Sequence, residues 1–434
     1  MAVGPLFLNI IMALAIAFGS FTKSTGAAPA AQSFPHGLGS TPKVLIMWMS
    51  SGLTTDSFVT SFRSAFGVAT SSTNFKSVAS ASINAGASSN ASKRHASKAL
   101  TVVQWGETLL AEADLSSFDG TNVNLSWTTN NAVAYIIHFC VIGGDDLTNA
   151  SVLQWSMPIV TGNNSQTGMG FQPDFVLHFF TLSSVAPPDS KTSSTNGIGA
   201  MNSVGEQWAL MSQSQDNQVT MVTDRGQRTD STLLRYSFGD GSAPDIQASF
   251  VSMDADGFTM NFTTPPGAAI VCFSLGLKGG QYKIGASNKP TGAAPVTQTF
   301  PTTFTPKGYF IASFQDVTQP SNVSRAHNRL GLGGSDGTSE QSTAFSDTDA
   351  LAVSSVDAVD STTKVFIKVN NDTATIDAQA DHSSLGATGP VINWTTNDAV
   401  ATEMLYLAFG DTAGAAGWGP LLGQRRNRLV GLTA

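Results

Sequence analysis

Two cysteines in 434 residues are too few for a disulfide scaffold or a cysteine-based zinc module. Charge is scarce as well. Lys, Arg, Asp and Glu make up 12% of the chain, about half the ~25% of an ordinary soluble domain. The 22 basic residues are outnumbered by 30 acidic ones, giving a net charge of −8 and a pI near 5.1. A nucleic-acid partner needs a basic stripe to displace counterions, so none is expected. No stretch sustains a 3.6-residue apolar period with caps, apart from a weak helix candidate at residues 107–115. The apolar run at residues 6–18 (LFLNIIMALAIAF) falls short of the ~20 residues that cross a bilayer, so no membrane partner is expected. It has the look of a secretory h-region, but the first Lys, Lys23, lies downstream of it rather than before it. Residues 15–19 (AIAFG) match residues 406–410 (YLAFG). Residues 1–19 are therefore expected to be an N-terminal strand and docking segment.

What the chain does have is apolar mass. Hydrophobic residues reach 41%, with 26 Phe, 7 Trp and 41 Gly, enough for several cores and two to four domains. A repeat organises it. Residues 41–48 (TPKVLIMW), 172–179 (QPDFVLHF) and 305–312 (TPKGYFIA) each set a proline before an apolar strand. Those prolines, Pro42, Pro173 and Pro306, are 131 and 133 apart, and the aromatics of three aromatic-Thr-Thr motifs, Trp127, Phe262 and Trp394, are 135 and 132 apart. Two independent markers with one period near 132 point to a triplicated unit. Residues 26–29 and 292–295 (both GAAP) differ by 266, two periods.

Within each unit the pattern is β. Residues 44–49, 102–105, 135–142, 175–180, 219–222, 258–262, 270–275 and 365–369 are short apolar or alternating runs, separated by turns such as Asp119-Gly120 and Asp256-Gly257. The expected fold is all-β: three tandem jelly-roll-like β-sandwich repeats of about 130 residues. The expected boundaries are 20–148, 149–282 and 283–412, with a C-terminal tail at 413–434.

Candidate chemistry is thin. The six histidines show no metal-ligand spacing, and His138 and His178 fall in strands as ordinary hydrogen-bonded imidazoles. Cys140 and Cys272 read as buried thiols on corresponding strands, two positions out of register. Gly333-Gly334-Ser335-Asp336-Gly337 spells a nucleophile elbow without the required strand and helix. Asp254-Ala255-Asp256-Gly257 reads as a hairpin turn rather than a calcium loop. Nine acids lie between Asp336 and Asp381 against Lys364 and Lys368, and read as a solvated face or one that binds a cation or basic partner. No catalytic, cofactor or metal residue is assigned. The tail offers an interface set, Trp418, Leu421, Leu422, Arg425, Arg426 and Arg428: leucines for a groove and arginines for carboxylates on a neighbouring subunit.

Residues 66–73 (FGVATSST), 127–144 (WTTNNAVAYIIHFCVIGG) and 161–180 (TGNNSQTGMGFQPDFVLHFF) resemble repeated domains of structural proteins from tailed bacteriophage virions. The resemblance covers almost the whole chain and implies a non-enzymatic virion component, assembled in the host cytoplasm, as head decoration or cement or as part of the tail. Its partners would be other copies of itself and other virion proteins. The alternative is a receptor- or glycan-binding fibre module that stacks a host-surface glycan on Trp155, Trp208 or Trp418. A polymer hydrolase would need a carboxylate pair across a cleft.

Overall fold

The computed structural model describes residues 13–239, 243–316, 318 and 322–412. Thirty-three strands and no helix occur among them. The first segment holds β1 (Ala15–Thr22), β2 (Ala30–Pro35), β3 (Pro42–Met49), β4 (Val59–Thr60), β5 (Phe62–Ser71), β6 (Asn74–Ser82), β7 (Ala91–Ala96), β8 (Leu100–Gln104), β9 (Thr108–Phe118), β10 (Asn122–Thr129) and β11 (Ile136–Gly143). The second holds β12 (Asn149–Ser156), β13 (Gly162–Thr167), β14 (Phe175–Phe180), β15 (Asp189–Thr192), β16 (Ser194–Asn202), β17 (Gln207–Ser214), β18 (Thr223–Arg228), β19 (Leu233–Tyr236), β20 (Pro244–Asp254), β21 (Gly257–Thr264) and β22 (Val271–Lys278). The third holds β23 (Gln281–Asn288), β24 (Val296–Thr299), β25 (Pro306–Ser313), β26 (Val323–Ala326), β27 (Asn328–Ser335), β28 (Glu340–Asp347), β29 (Val356–Ser361), β30 (Phe366–Val369), β31 (Ile376–Gly386), β32 (Gly389–Thr396) and β33 (Glu403–Gly410).

They form three seven-stranded and three four-stranded antiparallel sheets. The first seven-stranded sheet runs β1-β11-β3-β5-β6-β7-β15, and its four-stranded companion runs β2-β10-β9-β8. Advancing every strand number by eleven gives the second pair of sheets, and again the third. The last strand of each large sheet comes from the next segment: β15 pairs with β7, β26 with β18, and β4 with β29. The third exchange returns to the first segment, so the donation is cyclic.

Burial explains this layering. In β10 (NVNLSWTT) Val123, Leu125 and Trp127 are buried while the residues between them are not, the alternation of a sheet with one wet face. In β11 (IIHFCVIG) every residue is buried, so both faces are covered. Ile137, Phe139 and Val141 join a core shared with the four-stranded sheet. Cys140 and Ile142 face the other way, into a central cluster fed by all three large sheets. That cluster leaves an apolar cavity of about 30 Å³, walled by Ile46, Phe66, Phe175, Leu177, Phe310 and Leu407, with no polar partner for a water. Close packing fixes one glycine at the same place in each segment. A Cβ on Gly67, Gly199 or Gly333 would lie 2.0, 1.8 or 2.1 Å from the carbonyl oxygen of Ala99, Thr232 or Val365.

A second ring closes one end of the assembly. The loops after β6, β17 and β28 exchange backbone hydrogen bonds in rotation. Ser89 N–H donates to Gln218 O and Asn217 N–H to Ser89 O, both at 2.8 Å. Met221 N–H donates to Leu351 O (2.8 Å) and Ala350 N–H to Met221 O (2.9 Å). Ala85 N–H donates to Ser354 O (2.8 Å) and Ser354 N–H to Gly86 O (3.0 Å). The corresponding residues Ala85, Asn217 and Ala350 share left-handed φ values of 57°, 56° and 61°.

Several expectations are corrected. Residues 107–115 carry helix-forming Ala, Leu and Glu, yet β9 covers Thr108–Phe118 because Ala111, Ala113 and Leu115 alternate into the first core. Residues 219–222 are not a strand; Val219 is exposed and pairing starts at Thr223. The expected boundary at 19/20 cuts β1 and that at 282/283 cuts β23, whereas 148/149 falls where β12 begins. Pairing places Ile136, Val271 and Glu403 at equivalent positions. Cys140 then corresponds to Leu275, not to a neighbour two residues from Cys272. The true offset is odd, so the thiols face opposite cores; both are free and buried.

Trp127 and Trp394 are fully buried, and their indole N–H groups donate to Gln32 Oε1 (2.8 Å) and Gln298 Oε1 (3.0 Å). Replacing either by Ala should cost ~3–5 kcal/mol. Urea unfolding that shifts by less than about 1 kcal/mol would contradict the core assignment.

Candidate functional site

The expected interface residues Trp418, Leu421, Leu422, Arg425, Arg426 and Arg428 lie outside the described residues. Trp155 and Trp208, expected as exposed sugar platforms, are buried. Trp155 packs in the second core and shares Ser274 Oγ with His178 Nδ1, each at 2.8 Å. Trp208 sits in the central cluster and donates to Tyr406 O at 3.1 Å. Trp155 takes an inward position of β12, and β17, which carries Trp208, is buried on both faces.

The other sequence candidates resolve into structure. Gly333, Gly334 and Ser335 end β27, and the buried Ser335 Oγ accepts the Gly337 N–H at 2.9 Å, with no helix behind it. Asp254 and Asp256 flank the β20–β21 turn. Asp254 accepts from Ser252 (2.7 Å) and Thr259 (2.6 Å), and Asp256 from the Gly168 (3.0 Å) and Gly170 (2.6 Å) N–H groups. Among the described residues no group of three or more potential ligands is placed to hold a metal ion. Among the described residues there is no helix long and apolar enough to cross a membrane.

The acids from Asp336 to Asp381 do not make a solvated face. Asp347, Asp357 and Asp360 are buried. Asp336 accepts the Phe18 N–H at 2.9 Å, across 318 residues of chain. Asp381 pairs with Lys364 at 2.6 Å. Asp336, Asp360 and Asp381 thus sit where backbone donors and a lysine would otherwise lack acceptors.

The dense polar chemistry lies on the seams between segments, at one repeated position. The fifth residue of β7, β18 and β29 is His95, Gln227 or Asp360, and each is buried facing the next segment. Asp360 accepts from Ser50 Oγ (3.0 Å), Gly52 N–H (2.6 Å) and His138 Nε2 (3.1 Å), while His138 Nδ1 meets Gln341 Oε1 at 2.7 Å. Both imidazole nitrogens are occupied and both side chains are 0% exposed, so this His–Asp pair is a clamp without access for a reacting group. Gln227 donates to Glu403. His95 rests against the Phe273 ring, centroids 5.7 Å apart, and burial pushes its imidazole down to about 4.

A further node joins the loop ring. Ser82, Ser214 and Asp347 are the last residues of β6, β17 and β28, and the Asp347 carboxylate accepts from Ser214 Oγ at 2.6 Å. Burial pushes the carboxyl up to about 7. Sequence reading missed these nodes because their partners lie more than a hundred residues away. One signal was legible: Lys23 and Lys289 are 266 apart, like the GAAP motifs. Both are buried, cap Trp127 and Trp394 at 5.3 and 5.5 Å, and donate to Asn130 and Asn397. The second segment replaces this cation–aromatic pair with Met157 and Phe262.

No protein-family model matches the chain, and no curated protein matches it.

Two measurements test the seams. Removing the Asp360 carboxylate (Asp360→Ala) strands His138, the Ser50 hydroxyl and the Gly52 N–H, and should cost ~3–5 kcal/mol in urea unfolding; an unchanged midpoint would contradict the clamp. An unfolded Asp ionises near ~4 but folded Asp347 near about 7, so between these values the native chain holds a proton the unfolded chain has lost. The stability that Asp347 contributes is therefore fully present below ~4 and is lost as pH rises through about 7. Glu340, also pushed to about 7 by burial, acts in the same direction. Asp347→Asn should reduce the fall between pH ~4 and ~8 by on the order of 1–3 kcal/mol, read from unfolding curves at both pH values.

Proposed function

We propose that this chain is a non-enzymatic structural protein of a phage virion. In this reading it is three tandem jelly-roll-like β-sandwiches, each made of one seven-stranded and one four-stranded sheet, closed into a single-chain ring. The observation that carries it is the cyclic donation of β4, β15 and β26, which links the segments head to tail and returns to the first. A heterologous contact that closes on itself makes a rigid block of fixed size, suited to covering, cementing or projecting from a symmetric particle. The side chains that resemble chemistry are committed to seams and turns, and the outward positions of β10 are Asn122, Asn124 and Ser126. Such a surface suits packing against like neighbours, where Lys and Glu are disfavoured. The resemblance of the repeat to tailed-phage structural domains supports the same assignment.

The test is imaging of particles purified from cells that carry the gene, decorated with an antibody fragment against this chain. Label at regular sites on head or tail is the expected result; chain free in the lysate and missing from particles would overturn the reading. Deleting residues 413–434, which carry Trp418, Leu421, Leu422 and the three arginines, should leave unfolding unchanged and lower incorporation. Equal incorporation would remove the tail from the interface.

A further inference from the structure

Two arginines occupy the same place in different segments and have opposite surroundings. Arg63 and Arg329 are each the second residue of their strand, β5 and β27. Arg329 is fully neutralised: its guanidinium binds Asp316, lies 3.6 Å from Asp377 and donates to Val369 O. The first segment lacks both carboxylates. Asp316 follows the end of β25 by three residues, and Gly52 follows the end of β3 by three. Leu109 opposite Val103 and Ile376 opposite Val369 set a common register, so Leu110 stands where Asp377 does. Arg63 therefore makes no hydrogen bond or ion pair within the described residues. It stacks on Trp105 at 4.6 Å and lies 6.0 Å from the Tyr135 ring, and its Nε is buried and unpartnered.

What lies beside Arg63 is an open pocket of about 520 Å³. Its walls include the rings of Phe58 and Tyr135 and the aliphatic Leu53 and Val133. Ser51 also lines it; this residue is 2% exposed, and its hydroxyl has no hydrogen-bond partner. The geometry points to a binding site for a small carboxylate with a flat apolar body, its carboxylate on the Arg63 guanidinium and Ser51 hydroxyl and its body between the aromatic and aliphatic walls. The third segment supplies the template: the group that satisfies the equivalent arginine is a carboxylate, and the guanidinium fork matches it in plane. Apolar walls with a few convergent polar groups are the composition of a small-ligand site. The inference is independent of the virion assignment.

Calorimetric titration of the full chain with benzoate, benzamide and inorganic phosphate tests it. Benzoate should bind saturably, with benzamide and phosphate weaker by roughly tenfold or more, the worth of a charge-assisted bond. Arg63→Met should weaken benzoate by a similar factor. Leu110→Asp, which recreates the third segment's internal carboxylate beside the retained arginine, should do the same. A circular-dichroism melt checks that each variant folds. In the unaltered protein, benzoate but not benzamide should slow phenylglyoxal modification of Arg63, located by mass spectrometry; this reading needs no variant. Absence of saturable benzoate binding, equal binding of benzamide or phosphate, or unprotected Arg63 would each overturn the site.

Discussion

The mutual burial of three seven-stranded sheets holds this molecule together. Each large sheet has one face covered by its four-stranded companion, while the other has no cover within its own segment. Strands such as β11, buried on both sides, would expose Ile142 and its neighbours if the segment stood alone. Removing that apolar surface from water is the dominant favourable term. The exchanged strands and the loop ring then fix the rotational register of sheets that would otherwise meet as plain apolar faces.

Polar groups on the seams make the three junctions distinct. His95, Gln227 and Asp360 occupy one position and meet Phe273, Glu403 and His138. A buried Asp opposite Phe273 would lack a donor, so that junction discriminates one neighbour from another. Buried polar pairs of this kind contribute more to specificity than to net stability. The same divergence separates Arg63 from Arg329, where one segment neutralises its own cation and another leaves it half-buried beside an open pocket.

Much of the architecture was legible in the chain. Period-two apolar runs gave the β class, and the repeat markers Trp127, Phe262 and Trp394 all lie in the interior. The cyclic closure was not legible, for a physical reason. The exchanged strands β4 (VT), β15 (DSKT) and β26 (VSRA) are short and carry no alternating pattern, and their pairing is backbone chemistry that any sequence can perform. The misread helix at residues 107–115 shows tertiary packing overriding local propensity. The acids from Asp336 to Asp381 misled because sequence proximity is no guide to which segment each carboxylate reaches. The site beside Arg63 became visible only when two spatially equivalent arginines were set against each other.

The donation of β4 to β29 joins residues far apart along the chain: Asp357 lies opposite Thr60. A ribosome must therefore release the chain through β29 before the circle can shut, and until then β4 waits unmatched. The same arithmetic constrains the gene. Loss of one segment would leave a donor and an acceptor without mates on the same polypeptide, and shortened chains would have to find each other to fill the gap. Three is thus a number the chain can keep or multiply, but not reduce, without becoming an oligomer.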